Sequence, residues 1–247
     1  MNKTKTKRKS TDYIVKVLNG MALGLFSSLL IGLIIKQIGT VFNLELLIQF
    51  GGFAQLLMGP AIGAAVAYSV GAPPLGIFAS IIVGALGAGT FRLVDGQTIV
   101  AIGEPVGAFI AALIGAEVSK FLKDRSKVPI ITIPLLVILS GGLVGHYIAP
   151  YIAAFMTLVG NFINSATELH PIPMGAIVST VMGMILTLPI SSAAVSVSLG
   201  LSGIAAGAAT VGCSTQMIGF AITSFKENGF SGLLSIGVGT SMLQISN

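Results

Sequence analysis

The residues best suited to chemistry sit in the second half of the chain. Glu168-Leu169-His170-Pro171-Ile172-Pro173 joins a carboxylate, an imidazole and two prolines directly ahead of an apolar run. A carboxylate there can accept a proton or a sugar hydroxyl, and an imidazole can do either job near neutral pH. The blander reading is an interfacial loop with a capping acid. The prolines forbid one unbroken helix through the string. Further on, Ser191 and Ser192 follow Pro189, and Ser196, Ser198 and Ser202 come next. Ser192/Ser196 and Ser198/Ser202 are spaced to share a helix face. They suit hydrogen bonds between helices or a hydroxyl-lined path for a polar, uncharged solute. Between Glu168 and Lys226 lie 57 residues without a charge. Within them, Cys213-Ser214-Thr215-Gln216 is a polar cluster. A Gln in a membrane core must find partners, either on a ligand or on a neighbouring helix. Glu104-Pro105 opens another apolar run, where a carboxylate either complements the helix N-terminus or faces solute. Cys213 has no flanking charge that would activate it as a nucleophile and reads as a packing residue.

These residues must be held by apolar elements. Only 9% of the 247 residues are charged, against about 25% in a soluble domain. Hydrophobic residues make up 54%, and the mean hydropathy is +0.97. This excludes a soluble enzyme, a disordered tail and a nucleic-acid binder. The single Cys excludes an internal disulfide. There is no Walker motif, no HExxH, no GxSxG and no metal-ligand spacing, so neither a cofactor nor a metal is expected. The predicted class is an all-α, polytopic integral membrane helix bundle.

Eight spans of about 20 residues are predicted, at about 17–35, 51–70, 74–90, 105–121, 129–149, 172–188, 190–209 and 210–225. Residues 37–50 and 151–168 are amphipathic and suit interfacial helices. Residues 91–104 form a polar stretch. Residues 1–16 read as a basic cytoplasmic tail and 17–247 as a single transmembrane domain. The run Val17–Ile35 is long enough to span, so the basic start is not read as a cleaved leader. Lys3, Lys5, Lys7, Arg8 and Lys9 form one basic cluster, and the Lys120–Lys127 loop forms another. Four spans separate them, so the positive-inside rule places both in the cytoplasm.

The chain also shows an internal repeat. A shift of 116 residues lays Met58-Gly59 on Met174-Gly175, Pro73 on Pro189, Ser80 on Ser196, Gly84 on Gly200 and Gly87 on Gly203. A shift shorter by about 12 lays Val106-Gly107 on Val211-Gly212. The predicted halves are about 17–123 and 129–227. Both start in the cytoplasm, so the repeat is parallel, with 91–104 inserted in the first half. Transporters with such repeats hold substrate between them near the midplane.

Five strings carry a family resemblance: MALGLFSSLLIG (21–32), AYSVGAPPL (67–75), GAFIAALIGAEVSK (107–120), ATELHPIPMGAIVSTVMGMILTLPISSAA (166–194) and GLSGIAAGAATVGCSTQMIGFAITSFKENG (200–229). They resemble the bacterial phosphotransferase-system sugar transporter subunit IIC in its small, stand-alone form. The resemblance covers about residues 18–247. It implies a permease of the cytoplasmic membrane that binds a sugar and moves it inward. Separate IIA/IIB proteins would supply the phosphoryl group in trans, and a homodimer is expected by analogy. Better-understood sugar IIC proteins use a membrane Glu and His near the sugar. Glu168 and His170 are the tempting equivalents, with no motif match that places them. The expected substrate-binding residues are Glu168, His170, Ser191, Ser192, Gln216 and Glu104. Two other classes stay open. One is a secondary transporter or channel for a non-sugar solute without a phosphoryl step. The other is a membrane sensor or scaffold that uses the basic tail.

Overall fold

The structure is a computed structural model that describes residues 2–94, 97–187, 192–234 and 236–237. Pro189 and Ser191 lie outside the described residues. The chain forms two compact units, Met1–Ala154 and Phe155–Asn247.

The first unit begins with α1 (Asn2–Leu25), which continues through a π-helical turn (Phe26–Leu30) into α2 (Ile31–Val41). The basic start is therefore an extension of the first helix. Residues 37–50 are not the single amphipathic helix expected. Asn43 takes a left-handed conformation, φ 53°, which Asn tolerates better than most residues. The chain reverses there into α3 (Glu45–Leu56). Gly32 and Gly51 let α2 and α3 touch, since a Cβ on Gly32 would lie 2.8 Å from the Gly51 carbonyl oxygen.

α3 bends by 53° into α4 (Met58–Ser69). Pro60 has no N–H to offer the Leu56 carbonyl, which explains the break. Gly71 and Pro73 turn the chain into α5 (Pro74–Ala88), which ends on Gly89 at φ 66°. The polar stretch is a hairpin, β1 (Phe91–Val94) antiparallel to β2 (Gln97–Val100), with Phe91 opposite Val100. It is the one departure from helix among the described elements. α6 (Pro105–Lys123) and α7 (Pro129–Tyr147) complete this part.

Small residues set the packing. A Cβ on Gly63 would overlap the Ser80 carbonyl, one on Gly84 the Gly59 carbonyl, and one on Gly107 the Gly87 carbonyl. α4, α5 and α6 thus meet backbone to backbone, as helices in lipid do when packing replaces the hydrophobic driving force. α4 and α6 run parallel, each antiparallel to α5. α7 lays Val137 and Ile133 into a buried cluster with Ala79, Val83 and Ala111.

The unit boundary falls within α8 (Ala149–Leu169). The second unit goes on with α9 (Pro171–Thr187), α10 (Ser192–Ser198), α11 (Gly203–Thr223) and α12 (Phe225–Leu234). Its core joins Val178, Met182 and Ala209, with Ile163, Val195 and Leu201 packed on them.

The chain is a helical membrane protein. Among the described residues, Tyr13–Phe42, Pro105–Lys123, Pro129–Leu169 and Gly203–Thr223 are each long and apolar enough to cross a bilayer, and the bent α3–α4 pair makes a fifth. The apolar helices α5 and α9 are shorter. Two expected spans, 190–209 and 210–225, divide differently in the structure. The chain breaks at 199–202, and α11 runs unbroken through 209–210. Ala205 to Thr210 contain no proline, the Thr210 hydroxyl donates back to the Ala206 carbonyl instead of capping a new helix, and Ala is the best helix former. Residues 151–168 belong to a 41-residue apolar run, about 60 Å as helix against ~30 Å for one crossing.

Candidate functional site

In the second unit, α9 and α11 run side by side in the same direction. Gly175 faces Ala208, and a Cβ on Gly183 would lie 3.0 Å from the Gly212 carbonyl oxygen. A Cβ on Gly212 would overlap the Ser179 carbonyl. Toward the N-terminal ends of the two helices a groove of 480 Å³ remains, lined by Pro171, Gly175, Ser179, Ile204, Ala208 and Val211 among others. The lining is apolar apart from the Ser179 hydroxyl and the backbone laid bare by the small residues.

Glu168 stands exposed in the last turn of α8. His170 is the single residue between α8 and α9. Its N–H donates to the Ala166 carbonyl at 3.0 Å, and its carbonyl accepts from Met174 N at 3.1 Å. Pro171 takes the first position of α9, where its missing N–H costs nothing and its φ is already helical. Glu168 and His170 therefore precede the first groove-lining residue directly.

Gln216 lies at the other end. Its Nε2 donates to Thr187 Oγ1 at 3.5 Å, joining α11 to the last residue of α9. Thr187 Oγ1 in turn donates to the Met184 carbonyl at 2.9 Å. From Pro171 to Thr187 the helix rises about 24 Å, so Glu168 and His170 share no contact shell with Gln216. Ser192 opens α10, close in sequence to the Thr187 end. Ser191 lies outside the described residues. Cys213 Sγ donates to the Met182 carbonyl at 3.7 Å, a packing contact between helices.

Asn164 was not singled out by the sequence reading. Its Nδ2 donates to the Gly200 carbonyl at 2.9 Å, and its Oδ1 accepts from Ser202 N at 3.1 Å. One side chain of α8 thus takes both a carbonyl and an amide of the break between α10 and α11. One turn earlier on the same face, Gly160 lies against Leu199, where a Cβ would overlap the carbonyl oxygen. The available signal was an amide in an apolar helix with a Gly four residues before it. The partner, 36 positions away, was not readable.

Two polar clusters of the first unit bear on the expected site and on sidedness. Glu104 caps α6, accepting from Val106 N at 3.0 Å and from Gly107 N at 2.6 Å. Its own N–H donates to the Ala88 carbonyl at 2.9 Å, and Gly103 beside it sits at φ 80°. Glu104 thereby fixes the corner where the hairpin returns to helix. Elsewhere, Tyr13 of α1 donates to Glu117 Oε1 of α6 at 2.6 Å. Lys120 donates to the same oxygen at 2.8 Å and lies 5.4 Å from the Tyr13 ring centre. The start of α1 and the end of α6 therefore share one end of this unit, and with them the two basic clusters.

No group of three or more His, Cys, Asp or Glu able to hold a metal occurs among the described residues. No curated protein and no solved structure matches the chain. A family profile described as Phosphotransferase system, EIIC matches residues 15–247. With that match over nearly the whole chain and helices fit to cross a bilayer, the chain belongs to the phosphotransferase-system EIIC family and is an integral membrane component of a transporter of that type.

Proposed function

We propose that the chain binds a small polar solute, a sugar, and carries it across the bacterial cytoplasmic membrane. Separate IIA/IIB proteins deliver the phosphoryl group in trans, and two copies form a homodimer. The observation that carries this reading is the family match over residues 15–247. Its chemistry is consistent with what the second unit offers, a long segment without charge that is supplied with hydroxyls and an amide. Glu168 and His170 receive solute at the groove end of α9, and Ser192 and Gln216, with Ser191, contact it at the far end. Glu104 serves as the α6 cap.

The parallel course of α4 and α6 is matched by that of α9 and α11, each pair with one helix between in sequence. This supports an internal repeat, with α4 answering to α9 and α6 to α11. The shared end of the two basic clusters supports a cytoplasmic N-terminus.

A thermal-shift screen of the purified protein against sugars, sugar phosphates and other metabolites tests this reading. A ligand of the folded state raises apparent stability by mass action, by about 2.7 kcal/mol at a hundred times its Kd. The expected hit is a sugar, lost in Glu168→Gln or Gln216→Ala. A hit confined to non-sugar solutes would turn the reading to a transporter without a phosphoryl step.

A further inference from the structure

The segment Leu199–Ser202 interrupts helix inside an apolar stretch. Gly200 and Gly203 both take positive φ, 59° and 51°, which glycine does without penalty. Ser202 is the N-cap of α11, yet its side chain makes no cap hydrogen bond. Backbone polar groups at membrane depth must be satisfied by protein or by a water-filled cavity. Here Asn164 satisfies two, the Gly200 carbonyl and the Ser202 amide. Gly160 lets the α8 backbone come close enough for this. Leu201, between the two bonded residues, packs on the cluster of Val178, Met182 and Ala209 that joins α9 to α11. The position of the break therefore sets where α11 begins, and with it the groove along α9.

We infer that Asn164 is a positioning residue whose amide latches the α10–α11 break, and that opening this latch is a step of solute passage through the second unit. The inference deepens the transport reading and rests on it for the second clause only. The latch needs one donor and one acceptor on the same short side chain. Asn meets this, as does a protonated Asp, whereas an ionised Asp does not. Glu168, one turn along α8, and His170 are the nearby ionisable groups. α9 and α10 bring none, and α11 brings only the Cys213 thiol. An ionised carboxyl at 164 keeps an acceptor for Ser202 N but sets a lone pair against the Gly200 carbonyl, so the donor half of the latch is lost.

The test is hydrogen exchange on the full chain in detergent, read at the amides of residues 201–205 and at α6 as an internal control. Wild type, Asn164→Ala and Asn164→Asp are compared at about pH 3 and about pH 8, on either side of the ordinary Asp titration at about 3.9. Each variant is referenced to wild type at the same pH. Asn164→Ala is expected to exchange about tenfold faster at both, the effect of losing a hydrogen bond or two. Asn164→Asp is expected to match wild type at the acid pH and to exchange about tenfold faster at the alkaline one. That switch within one polypeptide separates the latch from misfolding. Wild-type exchange in Asn164→Ala, or no pH response in Asn164→Asp, would overturn the latch.

In uptake by vesicles, Asn164→Ala should lower kcat severalfold at nearly unchanged KM, and Asn164→Asp should recover on acidification. Wild-type kcat in Asn164→Ala would overturn the role in passage. If the wild type moves no solute, the transport reading falls, while the exchange data still decide the latch.

Discussion

The Tyr13 hydroxyl donates to Glu117 Oε1 at 2.6 Å, across 104 positions of sequence. The bond ties the first helix to the end of the sixth, and Lys120 completes the cluster from one turn away. Tyr13→Phe keeps the ring under Lys120 and removes only the hydroxyl. It should cost about 1 kcal/mol, seen as a lower midpoint in thermal or denaturant unfolding in detergent. An unchanged midpoint would mean that the bond adds nothing.

The same cluster predicts sidedness. In a Cys213→Ala background, Ser10→Cys and Lys127→Cys should react with a membrane-impermeant maleimide from one side only, and from the same side. The positive-inside rule makes that side the cytoplasm. Labelling from opposite sides would contradict the shared basic end.

Glu104 offers a test of cap against solute contact. Glu104→Ala removes both cap bonds of α6 and should cost about 1 kcal/mol of stability. Glu104→Gln keeps one acceptor oxygen and should cost less. The expected signature is a stability loss with solute affinity unchanged. A fall in affinity at full stability would move Glu104 into the binding site.

Two glycines of α11 should respond with opposite sign. A Cβ on Gly212 would overlap the Ser179 carbonyl, while one on Gly219 would meet nothing within 4 Å. Gly212→Ala should destabilise by about 1–3 kcal/mol, because backbone cannot yield as a side chain does. Gly219→Ala should stabilise by about 0.5–1 kcal/mol through helix propensity. Denaturant midpoints of the two variants decide this. Equal effects would mean that α9 and α11 do not meet through Gly212.

Much of the fold was legible because membrane helices announce themselves locally. Apolar runs became helices, Pro171 marked a break, and glycines marked close approach. What escaped depended on partners far away in sequence. The turn at Asn43 splits a segment whose composition alone reads as one amphipathic helix. Phe91–Val94 and Gln97–Val100 are short and mixed in polarity, and only their pairing makes them strands. The division of 190–209 from 210–225 failed because the length of one crossing was imposed on a run that breaks instead at Gly200. At the candidate site, residue types were readable but their grouping was not. Glu168 and His170 lie next to a groove, while Gln216 is about 24 Å further along the helix axis and bonded to Thr187. Asn164 escaped because its role depends on a strand of backbone 36 residues away.

The central claim is that this chain moves a sugar in a step coupled to phosphoryl transfer. The most direct measurement is uptake of the sugar identified by the stability screen into vesicles carrying the purified protein. It is run with and without the soluble phosphoryl-transfer proteins and their donor. The account predicts accumulation of the phosphorylated sugar inside, only when those components are present, and its loss in Glu168→Gln. Uptake of unmodified solute that ignores the phosphoryl components and collapses with the proton gradient would contradict it.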